Sequence, residues 1–173
     1  MDTTEMEGAP PHVSAEFLLW LWYRSEVGRG HVDFEGEGGS VDFWVDDRIA
    51  LRQAGEDKVT AVLTGENPSV APEARAALAG GKVVRDLRLA LRRADREYTV
   101  TLRGPRVEIA QAKLPALVKG GDVAEQLYER MFLYEELHFV IAGLFRAFAE
   151  ERVGAAWRDE ALPDLRRWAA TRP

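Results

Sequence analysis

Cysteine is absent from the 173 residues. Its absence removes disulfides, thiolate metal centres and thiol nucleophiles from consideration, and it fits a reducing cytoplasm. Histidine is scarce, with His12, His31 and His138 only, and none has a partner at metal-ligand spacing. No uninterrupted apolar run reaches the length of a membrane span. Met1 to Pro11 is acidic and lacks a basic region followed by an apolar one, so it does not read as a signal peptide. No nucleophile elbow, P-loop or dinucleotide fingerprint occurs. Gly36-Glu37-Gly38-Gly39 is glycine-rich but falls between two candidate strands, where it reads as a turn rather than a phosphate cradle. No internal repeat or low-complexity segment stands out.

What is present is a basic segment in an acidic chain. Between Arg75 and Lys113 there are ten Lys and Arg residues against Asp86, Asp95, Glu97 and Glu108, net +6. The remainder carries 13 basic and 25 acidic residues, net −12, which gives the total of −6. The pI near 5 argues against indiscriminate polyanion binding by the whole surface, but not against a local patch.

Within that segment apolar residues alternate. Val83, Leu87, Leu89 and Leu91 share one face with Arg85, while Asp86, Arg88, Ala90 and Arg92 share the other. Tyr98, Val100 and Leu102 oppose Thr99, Thr101 and Arg103, and Val107 and Ile109 oppose Arg106 and Glu108. A period of two predicts a meander with one buried and one wet face, turning at Arg93–Arg96 and Gly104-Pro105. The wet face would display Arg88, Arg92, Arg103 and Arg106, with Lys82 at its entry. It reads either as a solvated surface of mixed charge or as a phosphate-contacting one.

The rest of the chain supplies helices and further strands. Residues 1–13 read as a disordered leader and 14–173 as a single domain. Ser14 is the expected N-cap of a helix from Ala15 to Glu26, with Glu16 in its first turn. The run Phe17-Leu18-Leu19-Trp20-Leu21-Trp22-Tyr23 is apolar all the way round, which predicts burial on several sides rather than a stacking platform. His31–Glu35 and Val41–Val45 read as a hairpin, Asp46-Asp47 as a turn into Ile49–Leu51, and Lys58–Leu63 as another strand. A short helix from Pro72 to Leu78 should stop at Gly80-Gly81. Asp122 should cap a long helix to about Arg152.

In that helix Leu127, Met131, Tyr134, His138, Ile141, Phe145 and Phe148 recur at steps of four and three. Leu133, Leu137, Val140 and Leu144 form a second stripe. His138 reads as a packed core histidine. Two stripes offer more apolar surface than one small sheet needs, which suggests a homodimer. Trp157, Leu162, Leu165 and Trp168 mark a last short helix, broken by Pro163. The fold class expected is α+β, an antiparallel meander packed against a long C-terminal helix and a Trp-rich N-terminal one. Asp33, Glu35, Asp46 and Asp47 could in principle gather a divalent metal for a nuclease, but such acids are far more often exposed strand and turn residues. No cofactor is expected.

At Ala79-Gly80-Gly81-Lys82-Val83-Val84, followed by Leu87, Leu89 and Leu91, the sequence resembles the C-terminal half of the recombination-associated RdgC family. The later order is also similar: a strand pair, Lys113-Leu114-Pro115, a linker and the long helix. The run from Phe17 to Glu26 is similar to a segment of longer relatives. The resemblance covers Glu16 to Arg152. It implies a nucleoid-associated, ring-forming homodimer that binds double-stranded DNA without strong sequence preference and restrains a recombinase. Lys82 matches a DNA-facing basic position of the family, whereas Arg85, Arg88, Arg92, Arg103 and Arg106 are nominated by charge alone. Family members are much longer, and the half that closes their ring has no counterpart in these residues. Sequence thus leaves three readings: DNA-binding module, non-catalytic interaction or oligomerisation subunit, and metal-dependent nuclease.

Overall fold

The computed structural model describes residues 11–170 apart from 29, 35–37, 57, 118–119 and 121. A six-stranded antiparallel sheet forms the base: β1 (His31–Asp33), β2 (Ser40–Gln53), β3 (Val59–Thr64), β4 (Lys82–Arg93), β5 (Arg96–Arg103) and β6 (Glu108–Lys113). Long β2 pairs β1 and β3 along one edge and β4 along the other, and β4, β5 and β6 follow as the expected meander. The helices are α1 (Pro11–Glu26), α2 (Pro72–Ala79), α3 (Val123–Val153) and α4 (Leu162–Ala170). This is the α+β architecture that the alternation and the helical stripes called for.

The sheet buries one face. Phe43, Ile49 and Leu51 of β2, Leu87, Leu89 and Leu91 of β4, and Tyr98, Val100 and Leu102 of β5 are all within 2 % of full burial. Against them lies α1, whose Phe17, Leu18, Trp20, Leu21 and Trp22 are equally buried. A helix apolar on all sides needs cover on all sides. The sheet supplies one, α3 a second through Phe17 on Phe145 and Phe148 (centroids 5.2 and 5.4 Å apart), and α4 a third through Trp168 on Trp22 (5.4 Å). The Trp side chains are core, as their place in a Leu-rich run implies. Arg75 of α2 closes that corner, stacked 4.1 Å from the Trp168 ring and paired with Glu26.

α1 begins at Pro11, so residues 11–13 are helical rather than part of a leader, and residues 1–10 lie outside the described ones. Ser14 is not the N-cap. It is fully buried and its hydroxyl donates to the Pro105 carbonyl, tying α1 to the turn before β6. Asp46-Asp47 makes no turn. Ser40–Gln53 is one strand in which Asp46, Asp47 and Arg48 bulge opposite Arg88, between the pairs Val45–Leu89 and Ile49–Leu87. Pro163 does not break the last helix either. It falls in the first turn of α4, where a missing N–H costs nothing, after one wide turn at Trp157–Ala161.

α3 is capped as expected. Asp122 Oδ1 accepts from the Glu125 N–H (2.9 Å), and Glu125 returns a carboxylate oxygen to the Asp122 N–H (3.0 Å). The second stripe, Leu133, Leu137, Val140 and Leu144, is buried throughout. The first is not. Ile141 and Phe148 are buried and Phe145 half-buried, but Leu127, Met131, Tyr134 and His138 are exposed. His138 is therefore a surface residue and not the packed histidine that its spacing suggested. A perfect period cannot tell how far along a helix the body extends.

Candidate functional site

A bulge decides where the basic residues of β4 point. Leu51 pairs with Val84 and Ala50 with Asp86, so Arg85 is the extra residue and the alternation shifts by one before it. Val84 is buried in place of Val83. Lys82, in register with Gln53, falls on the helix-covered side instead of opening the wet face. The open face does carry Arg88, Arg92 and Arg103, in register with Thr101, Glu97 and Asp86.

Each of these guanidinium groups meets a carboxylate. Arg88 Nε sits 3.1 Å from Asp46 and 3.3 Å from Asp47, and Arg92 Nε lies 3.2 Å from Glu97. Buried Asp86 takes two partners, Arg85 at 2.8 Å and Arg103 at 3.4 Å. Asp42, Asp46, Asp47, Glu66, Asp86, Glu97 and Glu108 stand among Arg48, Arg88, Arg92, Arg103 and Lys113, so acids outnumber bases here. On this face the segment's own Asp86, Glu97 and Glu108 offset three of its four bases, and Asp42, Asp46 and Asp47 of β2, far back in the chain, outweigh the remaining +1 and Arg48. A phosphate oxygen binding Arg88 would displace a carboxylate oxygen of equal strength and leave two aspartates beside a polyanion.

Lys82 and Arg106 have no ion-pair partner among the described residues. They belong to one end of the sheet, where β4 starts and β5 stops, and there Arg85 and Arg103 share the single Asp86. The six nominated residues thus divide in two. Arg88 and Arg92 are matched on the open face, while Lys82, Arg85, Arg103 and Arg106 lie toward the sheet end, with Lys82 and Arg103 on opposite faces of it.

A shallow recess of about 600 Å³ opens on the same face, lined by residues including Asp47, Arg48, Glu66, Arg88, Thr101 and Arg103. The buried Thr101 hydroxyl at its floor has no hydrogen-bond partner. With Asp86 in its wall, three cations face three anions, so it carries no charge preference. Nearby, exposed His31 bonds Asp42 through Nδ1 (2.7 Å) and Asp33 through Nε2 (3.2 Å). The bond to Asp42 chiefly, then that to Asp33, raises the imidazole above its ordinary value. Among the described residues no three His, Asp or Glu are grouped to hold a metal, and Glu35 lies outside them. Asp46 and Asp47 are engaged with Arg88 instead.

The surface that the basic segment did not announce is the leading half of α3. Val123, Leu127, Tyr128, Met131 and Tyr134 are 84, 56, 71, 50 and 44 % exposed. Phe132 and Phe139 are half-exposed too, but Arg96 and Arg93 stack on them at 5.1 and 4.9 Å. Glu136 anchors this helix: Arg96 reaches it at 2.8 Å, Arg93 at 3.7 Å, and the buried Tyr98 hydroxyl donates to it. Burial opposes the Glu136 charge, but the Tyr98 and Arg96 bonds with the Arg93 field prevail and hold its carboxyl below the ordinary value. Burial first, and then the same hydrogen bond, raises the Tyr98 phenol. Before this clamp almost every residue of α3 is exposed. The heptad spacing was the sequence signal for this surface.

No family model, curated protein or solved structure matches this chain. No helix among the described residues is long and apolar enough to cross a membrane.

Proposed function

We propose that this protein is a non-catalytic interaction subunit that docks another polypeptide through the leading half of α3. The observation carrying this reading is one seam in two states. Leu127, Met131, Tyr134, His138, Ile141, Phe145 and Phe148 keep a single four-and-three spacing, α1 packs on Phe145 and Phe148, and nothing among the described residues covers the leading members. Scattered exposed apolar residues mean little, but an aligned run of them on a rigid, capped helix is what interfaces are made from. Completing the burial of one half-exposed Leu, Met or Tyr is worth about 1 kcal/mol. Four or five such residues, with matching burial on the partner, give about 8–10 kcal/mol before the cost of association, which is the range of a weak, reversible contact. The test is the size of the tagged chain in extract of the cells that produce it, beside a Leu127→Lys, Met131→Lys variant. The wild type should elute well above 19.4 kDa and the variant near it. Coincident elution of both at monomer size refutes the reading.

Contact with DNA is the second reading, and what favours it is the sheet end where Lys82 and Arg106 have no carboxylate partner among the described residues and Arg85 and Arg103 share one. Binding of this kind loses affinity steeply with salt, by about one unit of log–log slope per phosphate contact. A salt titration of fluorescently labelled duplex and single strand, repeated with Lys82→Ala and Arg106→Ala, tests it. A slope near zero removes DNA from the account. A nuclease finds no support in the placement of Asp46 and Asp47.

A further inference from the structure

We infer that the polypeptide received by the leading half of α3 is a second copy of this chain, lying antiparallel. The inference rests on the interaction reading above and names its partner. Two features of the surface decide between the possible arrangements. First, the free seam is self-complementary when reversed: about a two-fold axis between Phe132 and Leu133, Leu127 meets His138 of the other copy and Met131 meets Tyr134. All four exposed seam residues are then used twice, which is the condition for a closed two-fold contact. Second, α1 closes the seam beyond His138. Its Phe17 lies on Phe145 and Phe148, and its Glu16 and Trp20 reach Arg152 and Glu151 at 2.7 and 3.0 Å.

That closure rules out the parallel alternative. Helices packed through a seam lie about 8–10 Å apart. A parallel pair would bring two copies of α1, each about 10 Å thick, between the two α3 helices at Phe145. The pair would have to spread to roughly 30 Å within the seven residues after His138, about 10 Å of helix. Charge points the other way, because Arg130 and Glu135, both exposed and without ion-pair partners among the described residues, would pair across a parallel seam. A surface ion pair is a weak term and cannot outweigh a steric block. In the antiparallel pair each α3 instead begins beside the other copy's α1, and the free length matches itself.

The chain has no cysteine, so introduced ones report the arrangement directly. Leu127→Cys, His138→Cys and the double variant, all at exposed positions, are oxidised as purified proteins after circular dichroism confirms that they fold like the wild type. Two positions eleven residues apart on a helix are roughly 16 Å apart, beyond disulfide reach. The double variant, and a mixture of the two single ones, should therefore give a covalent species of twice 19.4 kDa, while neither single variant alone does. Covalent dimer from Leu127→Cys alone overturns the antiparallel arrangement, and so does a double variant that stays uncrosslinked while sedimentation shows a dimer. A purified wild type monomeric up to the highest attainable concentration, with a larger species in cell extract, overturns the second copy as partner but leaves the interaction reading standing.

Discussion

Replacing Glu136 by Gln or Ala should loosen the polar clamp by which Arg93, Arg96 and Tyr98 hold α3 to the β4–β5 hairpin. In Glu136→Ala the Tyr98 hydroxyl, on a residue 2 % exposed, loses its acceptor, and an unsatisfied buried hydroxyl costs about 1–3 kcal/mol. Arg96 and Arg93 are 39 and 20 % exposed and regain water, so their lost attraction adds less than 1 kcal/mol. The sum is about 2–3 kcal/mol, or roughly 5–10 °C in Tm for a domain of this size. Thermal unfolding by circular dichroism reads it, with Tyr98→Phe completing a double-mutant cycle. Because both residues share one hydrogen bond, the two losses should fall short of additivity by about 1 kcal/mol. The pH dependence has a definite sign. A carboxyl held below its unfolded value of 4.5 contributes fully above that pH, and the contribution is lost as pH falls through the lowered folded value. The gap between wild type and Glu136→Gln should therefore be widest near neutrality and narrow below pH 4.5. A loss under 0.5 kcal/mol at pH 7, or a gap that widens in acid, would show that apolar packing alone holds α3.

Gly30→Ala should be among the most damaging small substitutions, because the new Cβ would lie 2.2 Å from the Phe43 carbonyl oxygen, a backbone atom that cannot swing aside. A cost of about 2 kcal/mol or more is expected in denaturant unfolding. Ala94, at the β4–β5 turn with φ of 52°, sits in the left-handed region, so Ala94→Gly should stabilise by about 0.5–1 kcal/mol despite its greater unfolded-state entropy. A lower midpoint in the same assay would speak against strain at that turn. By NMR titration His31 should ionise above 6.5 and return toward it in Asp42→Asn. An unchanged midpoint would mean that the Asp42 contact is not maintained in solution.

Much of the fold was legible because it rests on periods. Alternating Leu87, Leu89 and Leu91 against Tyr98, Val100 and Leu102 announces the meander, the apolar circumference of Phe17 to Tyr23 announces a helix enclosed on several sides, and Asp122 announces the start of α3. The bulges were hidden. Arg85 shifts the pattern of β4 by one residue without altering composition, and Asp46-Asp47 reads equally as a turn or as a bulge within one strand. Both are settled by which strand lies alongside, a matter of tertiary pairing. The charged surface failed to be read for a related reason. Counting charge along 75–113 cannot see that β2 brings Asp42, Asp46 and Asp47 between those arginines. The stripe on α3 was visible as a stripe, but its division at His138 depends on where α1 crosses, which no local pattern records.

Enclosing α1 from every direction also sets an order on the birth of the chain. Phe17 to Trp22 are translated before the groups that shield them, from Leu87 in β4 to Phe148 in α3 and Trp168 in α4. At about 5–20 residues per second, the roughly 145 further residues to Trp168 take some 7 to 30 seconds. For that interval the apolar circumference of α1 is a nascent segment awaiting α3 and α4. A message cut short before α3 should therefore yield an insoluble product.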